Sequence, residues 1–379
     1  MPQRASFSVQ AADAASAARE ASHPPGELAP SKASRRAQLA LPAALDRASW
    51  RQFVILCPQE EATPVLDTLA LEAQPAAAVA SRSSRIWERA AWRDDAEGLL
   101  AWAGREKIKE LFIVVTLDGA QVREPARLAA FVRRAGRAGI AVTAVEGDPH
   151  MVLPNHRAAT VDRARAYAAY NRAVAPDERL RAMQFDIEPY LLDDDVLAPR
   201  DRDHVYLDTA RALHEAAAGT PLEFVVPFWW SDKTELLDGL ASAADAIAVM
   251  DYRTDPEQIV RFAVPFLDWG ARYGKRVRIA LEAGKVGAEV QRRYVRADDG
   301  EAGELLLAEL DGARALVLLR APVKEATLPR YRLSGERTLD GSATSFYGQR
   351  DALRKLLPGL ERDFSAWPGF AGIALHGWR

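Results

Sequence analysis

Two acids two residues apart, Asp186 and Glu188, close the run Met183-Gln-Phe-Asp-Ile-Glu-Pro-Tyr190, and a third, Glu282, closes Val277-Arg-Ile-Ala-Leu-Glu282. Successive side chains of a strand point to opposite faces. Gln184, Asp186 and Glu188 therefore share one face, and Met183, Phe185 and Ile187 the other. By the same phase Ala280 and Glu282 lie opposite Val277, Ile279 and Leu281. Like charges gathered at strand ends repel, a cost that folds tolerate more readily where a site uses it. Two carboxyl groups flanking a bond to an anomeric carbon can cleave it: one protonates the leaving oxygen, and the other attacks the carbon or activates water. Burial and mutual repulsion would raise the pKa of one and leave the other ionised. The competing structural reading makes these acids rim residues, solvated or paired with neighbours such as Arg253.

The elements that must deliver these acids are legible from Ser84 onward, where short β-type runs alternate with stretches carrying apolar residues at helical spacing. Strands are predicted near 85–91, 111–117, 140–145, 183–188, 222–228, 246–252, 277–282 and 372–378. Helices are predicted over 95–106, 125–138, 161–173, 204–217, 233–243, 256–273 and 348–362. Alternation implies parallel pairing with right-handed crossovers. Eight such units, with no Gly-rich phosphate loop after the first strand, predict an α/β fold, a closed (β/α)8 TIM barrel over 84–379. Residues 287–347 are too long for a crossover and predict a small antiparallel β insertion after strand 7, with Asp311-Gly312 as a hairpin turn.

Chemistry in such barrels sits at the C-terminal ends of the strands. There the assignment places Asp148 after strand 3, Tyr190 after strand 4, Trp229 and Trp230 after strand 5, Asp251, Tyr252 and Arg253 after strand 6, and His376 and Trp378 at strand 8. Flat aromatic faces beside polar groups suit a sugar ring. Trp378 and one of Trp229 and Trp230 are the expected pocket walls, although each Trp is equally suited to plugging a core. The histidines show no pair at metal-ligand spacing, so neither metal nor cofactor is expected, and no Gly-x-Ser-x-Gly elbow or P-loop is present.

Composition narrows the partners. The 379 residues carry 50 basic and 53 acidic side chains, which gives no electrostatic case for nucleic acid as a partner. Cys57 is the sole cysteine, so an intrachain disulfide is impossible. No apolar run reaches the roughly 18–20 residues of a membrane span, and no clear signal peptide is read, leaving the cytoplasm as the default location. Residues 1–47, rich in Ala, Ser, Pro and charge, predict a disordered tail. Residues 48–83 predict an N-terminal extension in which Trp50–Cys57 is a strand. Nothing in the sequence specifies an oligomeric state.

These residues resemble two groups of barrel glycosidases. Glu188-Pro189 after strand 4 and Glu282 after strand 7 resemble the clan of retaining glycosidases. That likeness implies Glu188 as acid/base, Glu282 as nucleophile and Tyr252 as the tyrosine orienting it; Ile187 stands where the clan usually has Asn. Asp186-Ile-Glu188, Met250-Asp-Tyr252 and Trp378 also resemble the chitinase-like family, which implies an N-acetyl group acting as nucleophile with help from Asp186, and Glu188 as the acid. Ala182 and Gln184 occupy places where that family carries further acids. The chain is similar, too, to uncharacterised bacterial barrel proteins of glycosidase type. The leading expectation is a glycoside hydrolase of two-carboxylate mechanism, with Glu188 as acid/base and Glu282 as nucleophile or charge stabiliser; the alternatives are a substrate-assisted hydrolase of N-acetylated sugars working through Asp186 and Glu188, and a non-catalytic carbohydrate-binding barrel.

Overall fold

The computed structural model describes residues 81–379 apart from 311–312 and 325–326, and, ahead of them, the backbone of the strands Ala5–Asp13, Ala21–Ser22, Gly26–Leu28 and Trp50–Leu56. The strand expected at Trp50–Cys57 is one over Trp50–Leu56, and it pairs antiparallel with Ala5–Asp13. That partner falls within the tail expected to be unstructured; its alternating Phe7 and Val9 are the β-type signal passed over there. The rest of the tail and of the N-terminal extension lies outside the described residues.

Eight parallel strands close into a barrel in sequence order: β1 Arg82–Ile86, β2 Ile108–Ile113, β3 Ala141–Gly147, β4 Met183–Asp186, β5 Leu222–Pro227, β6 Ala246–Met250, β7 Arg276–Glu282 and β8 Phe370–His376. The alternation that set the phase is realised. Val277, Ile279, Leu281, Ile373, Leu375, Met183 and Phe185 are fully buried in the core between strands and helices. At roughly 1.5–3 kcal/mol for each large apolar side chain buried, this layer supplies most of the driving force for closure.

The first strand is displaced from its predicted span. It runs over Arg82–Ile86 rather than Arg85–Ala91, because Arg89–Asp94 is a helix. Its inward residues are small or polar, Ser83 and Arg85, so the segment lacked the apolar alternation that marks a strand. The second strand likewise lies earlier, at Ile108–Ile113.

The interior of the lower barrel is charged. Arg278 of β7 donates to Glu110 of β2 (3.0 Å) and to Glu223 of β5 (3.2 Å), and all three are buried. Thr143 gives a further hydrogen bond to Glu110 at 2.7 Å. Desolvation opposes ionisation of Glu110, but the guanidinium charges of Arg278 and Arg181 outweigh it and hold its pKa below the usual range. Removing one member of such a cluster leaves an uncompensated buried charge and costs roughly 3–5 kcal/mol.

After β7 the chain forms four antiparallel strands, Glu289–Arg296, Gly303–Leu310, Ala313–Val323 and Arg330–Leu339, with the fourth lying between the first and second. Leu310 pairs with Ala313; the turn expected at residues 311–312 lies outside the described residues. The return from this insertion reaches the barrel rim: Ser345 bridges to Glu282, and the Phe346 N–H donates to the Glu282 carbonyl at 2.9 Å. Among the described residues no helix is long and apolar enough to cross a membrane.

Candidate active site

Strand β4 delivers its acids as its alternation dictates. Gln184 and Asp186 face the barrel interior, and both are buried. Asp186 Oδ2 accepts from Arg85 Nη1 of β1 at 2.5 Å, and Arg85 Nη2 donates to Gln184 Oε1 at 2.8 Å. Gln184 Nε2 in turn donates to Glu223 Oε1 at 2.6 Å, and Glu223 is held by Arg278. One buried chain of hydrogen bonds thus runs from the barrel floor to Asp186. Its fixed charges and orientations leave Asp186 one held oxygen. The other, Oδ1, is buried without a hydrogen-bond partner among the described residues, an arrangement that costs about 1–3 kcal/mol unless a donor arrives.

Glu188 follows one turn of alternation later and opens the short 3-10 turn Pro189–Leu191. Tyr190 donates its hydroxyl to Glu188 Oε2. Burial, seconded by the charge of Asp186, raises the Glu188 pKa; Tyr190 and Arg85 work against that rise without cancelling it. Glu188 is thereby biased toward a neutral carboxylic acid beside a buried Asp186 paired to a guanidinium, the division of labour that proton transfer to a leaving group needs.

Glu282 ends β7 in register with His376 of β8. Its Oε1 accepts the Gly284 N–H at 2.5 Å. Gly377, at φ +59°, passes so close that a Cβ there would come within 2.8 Å of the same oxygen and 2.3 Å of the Gly284 Cα. Tyr252 does not hydrogen-bond Glu282; its hydroxyl is 2.6 Å from His376 Nδ1. Burial first, and then the nearby charges of Glu282, Asp186 and Glu188 against that of Arg85, raise the Tyr252 pKa. Tyr252 therefore stands in the field of all three acids. Burial first, and then the guanidinium charges of Arg85 and Arg278, push the His376 pKa well below its ordinary value.

The aromatic residues separate into two kinds. Trp229 is 48% exposed and makes a T-shaped contact at 5.2 Å with Tyr190, the residue that donates to Glu188. Trp230 is 2% exposed and packs against Tyr206. Trp378 is not brought to the barrel mouth. Its indole N–H donates to Glu106 at 3.0 Å, beyond the helix Ala96–Arg105, and Arg350 and Arg354 of the helix Arg350–Phe364 stack on its ring. The left-handed Gly377 breaks the strand alternation one residue earlier and turns Trp378 outward.

Asp251 also points away from the interior, because Met250 and Tyr252 on either side of it pack inward with Val225 and Ala248. Both its carboxylate oxygens are buried without a partner among the described residues, and burial pushes its pKa up to about 8. Arg253 lies over the Phe228 ring at 4.3 Å and donates to the Tyr252 carbonyl, which removes it from the salt bridge first considered for the rim acids. Asp148 caps its own turn, accepting from the His150 backbone at 2.8 Å and facing the His150 ring at 2.9 Å. Among the described residues no group of three or more His, Cys, Asp or Glu is placed to hold a metal ion.

Arg85 is the principal site residue that sequence reading passed over. Its partial signal is a long charged side chain in phase with Ser83, which reads as inward only once the segment is placed as the first strand of a closed barrel opposite Asp186.

No protein-family model matches this chain. No curated protein matches it either. Among solved structures it is similar to catalytic domain 2 of the Ostrinia furnacalis Group II chitinase, at 12% identity and a TM-score of 0.42 over 79% of this chain and 89% of that one. It is similar to the glycoside hydrolase domain of PelA from Pseudomonas aeruginosa, at 16% identity and a TM-score of 0.35 over 54% of this chain and 85% of that one. Deoxyribose phosphate aldolase from Aeropyrum pernix is similar as well, at 11% identity and a TM-score of 0.31 over 53% and 76%. The class that the closed eight-stranded parallel sheet defines is the (β/α)8 barrel.

Proposed function

We propose that the protein is a glycoside hydrolase in which Glu188 is the general acid/base and Asp186 is the fixed anion that aligns the substrate. The observation that supports this reading is the pairing of a Glu188 kept toward its neutral form with an Asp186 tied to Arg85 through Oδ2 and left with an Oδ1 that has no partner among the described residues. A sugar bearing an acetamido group next to its anomeric carbon supplies what Oδ1 lacks. Its N–H bonds Asp186, and its carbonyl oxygen attacks the anomeric carbon while Glu188 protonates the departing oxygen. Trp229 offers the apolar face for the ring, and Tyr190 orients Glu188.

A second reading gives the nucleophile's role to Glu282, and its position on the same barrel rim, within the field felt by Tyr252, favours it. The groups that shift Glu188 are Asp186, Tyr190 and Arg85, and Glu282 is not among them, which puts Asp186 first.

Turnover of chito-oligosaccharides and aryl glycosides by four proteins tests both. Glu188→Gln is expected to lose about 10²- to 10⁴-fold in kcat. Asp186→Asn should follow it, and Glu282→Gln should keep most activity. Undiminished turnover by Glu188→Gln refutes the proposal, whereas loss in Glu282→Gln with an active Asp186→Asn transfers the partner role to Glu282.

A further inference from the structure

A cavity of about 600 Å³ opens at the ends of β1 and β3, bordered by Trp87, Arg89, Glu146, Gly147, Asp148 and Arg163. That volume suits a sugar unit. We infer that it is a subsite for an acidic sugar, a glycan unit carrying a carboxylate, adjoining the place where the glycosidic bond is cut. The inference rests on the glycan reading of the barrel mouth and names the chemistry of the neighbouring unit.

The cavity's position follows from Gly147. A Cβ at that residue would lie 3.2 Å from the Trp87 ring and 3.3 Å from the Asp186 Cβ. The bare glycine thus lets the Trp87 ring and Asp186 both close on Gly147, which lines the cavity and places it next to Asp186. Trp87 is 48% exposed, and the Arg85 guanidinium stands 5.0 Å from its ring centroid. The uncovered part of the indole is an apolar platform for the carbon-bound hydrogens of a sugar ring.

The charges at the wall decide the ligand. Glu146 is buried and already satisfied, accepting from Arg163 Nη1 at 2.6 Å and from the Tyr167 hydroxyl. Burial raises its pKa even against the neighbouring guanidinium charges. Asp148 is occupied by His150. Arg89 has no hydrogen-bond or ion-pair partner among the described residues, and Arg163 spends one arm of its fork on Glu146 with its side chain still 40% exposed. With Glu146 engaged on both oxygens and Asp148 on Oδ1, the guanidinium N–H groups of Arg89 and Arg163 are the charged donors facing the cavity, and their planar fork fits a carboxylate.

Calorimetry on full-length Glu188→Gln protein tests this with three probes: a hyaluronan tetrasaccharide, its carboxyl-reduced counterpart and chitotetraose. The acidic probe should bind at least about tenfold more tightly than its reduced form, with an advantage that shrinks as salt rises. Adding Arg89→Gln should erase that advantage without changing affinity for the reduced probe, and Trp87→Ala should weaken both. Equal affinity for the acidic and reduced probes, or an Arg89→Gln protein that still tells them apart, overturns the subsite. Binding of chitotetraose alone overturns it and leaves the glycan reading standing. Failure of all three probes to bind removes both.

Discussion

Arg85 Nη1 lies 2.5 Å from Asp186 Oδ2, with both side chains buried inside the barrel and the second arm of the guanidinium on Gln184. This contact joins β1 to β4 across the interior and fixes which oxygen of Asp186 remains open. Arg85→Met deletes the counter-ion and leaves a carboxylate in a water-poor space. Unfolding in urea should show a loss of about 3–5 kcal/mol. Adding Asp186→Asn to that variant should return a large part of the loss, because the stranded charge is gone. Two losses that simply add would mean that the pair does not act as a unit.

The environment of Glu188 makes opposite predictions for its two nearest partners. A general acid works protonated, so kcat/KM should fall as pH rises through the raised pKa of Glu188. Asp186 pushes that pKa up and Tyr190 pulls it down. Asp186→Asn should therefore move the alkaline limb of the pH profile to lower pH, in whatever activity it retains. Tyr190→Phe, which removes a donor to the carboxylate, should move the limb to higher pH. Limbs shifting in the same direction would contradict the assignment of Glu188 as the titrating acid.

Trp378 shows where strand phase stops being a guide. The inward run of β7, Arg278-x-Ala280-x-Glu282, and that of β8, Ala374-x-His376, were legible because their outward partners are Val, Ile and Leu. Counting on by two carried Trp378 inward too, but the left-handed conformation of Gly377 breaks the alternation there. No residue pattern before it announces that turn. Arg85 and Arg278 were missed for the converse reason: a charged residue on a strand reads as solvated until its buried partners, Asp186 and Glu223, are known to stand opposite across a closed barrel. Trp378→Phe should accordingly keep kcat and KM near wild type while losing about 1–3 kcal/mol of stability with the hydrogen bond to Glu106. Trp229→Ala should raise KM with little change in stability. A large fall in kcat for Trp378→Phe would return that ring to the site.

Asp251 carries the clearest pH signature of stability. Its carboxyl is buried without partners among the described residues, and its pKa rises from 3.8 to about 8 on folding. Between these values the native state holds a proton that the unfolded chain has released, so the native state binds more protons and stability falls as pH rises. The contribution is intact below about pH 4 and is lost progressively up to about pH 8, where the charged form must be accommodated or the fold pays several kcal/mol. Asp251→Asn keeps the shape, removes the ionisation and offers an amide in place of the neutral acid. Its stability relative to wild type, followed by urea denaturation from pH 5 to pH 8, should therefore climb steadily with pH. A difference that stays flat across this range would show that Asp251 ionises in the native protein as readily as in the unfolded chain, and that a donor outside the residues now seen beside it satisfies the carboxylate.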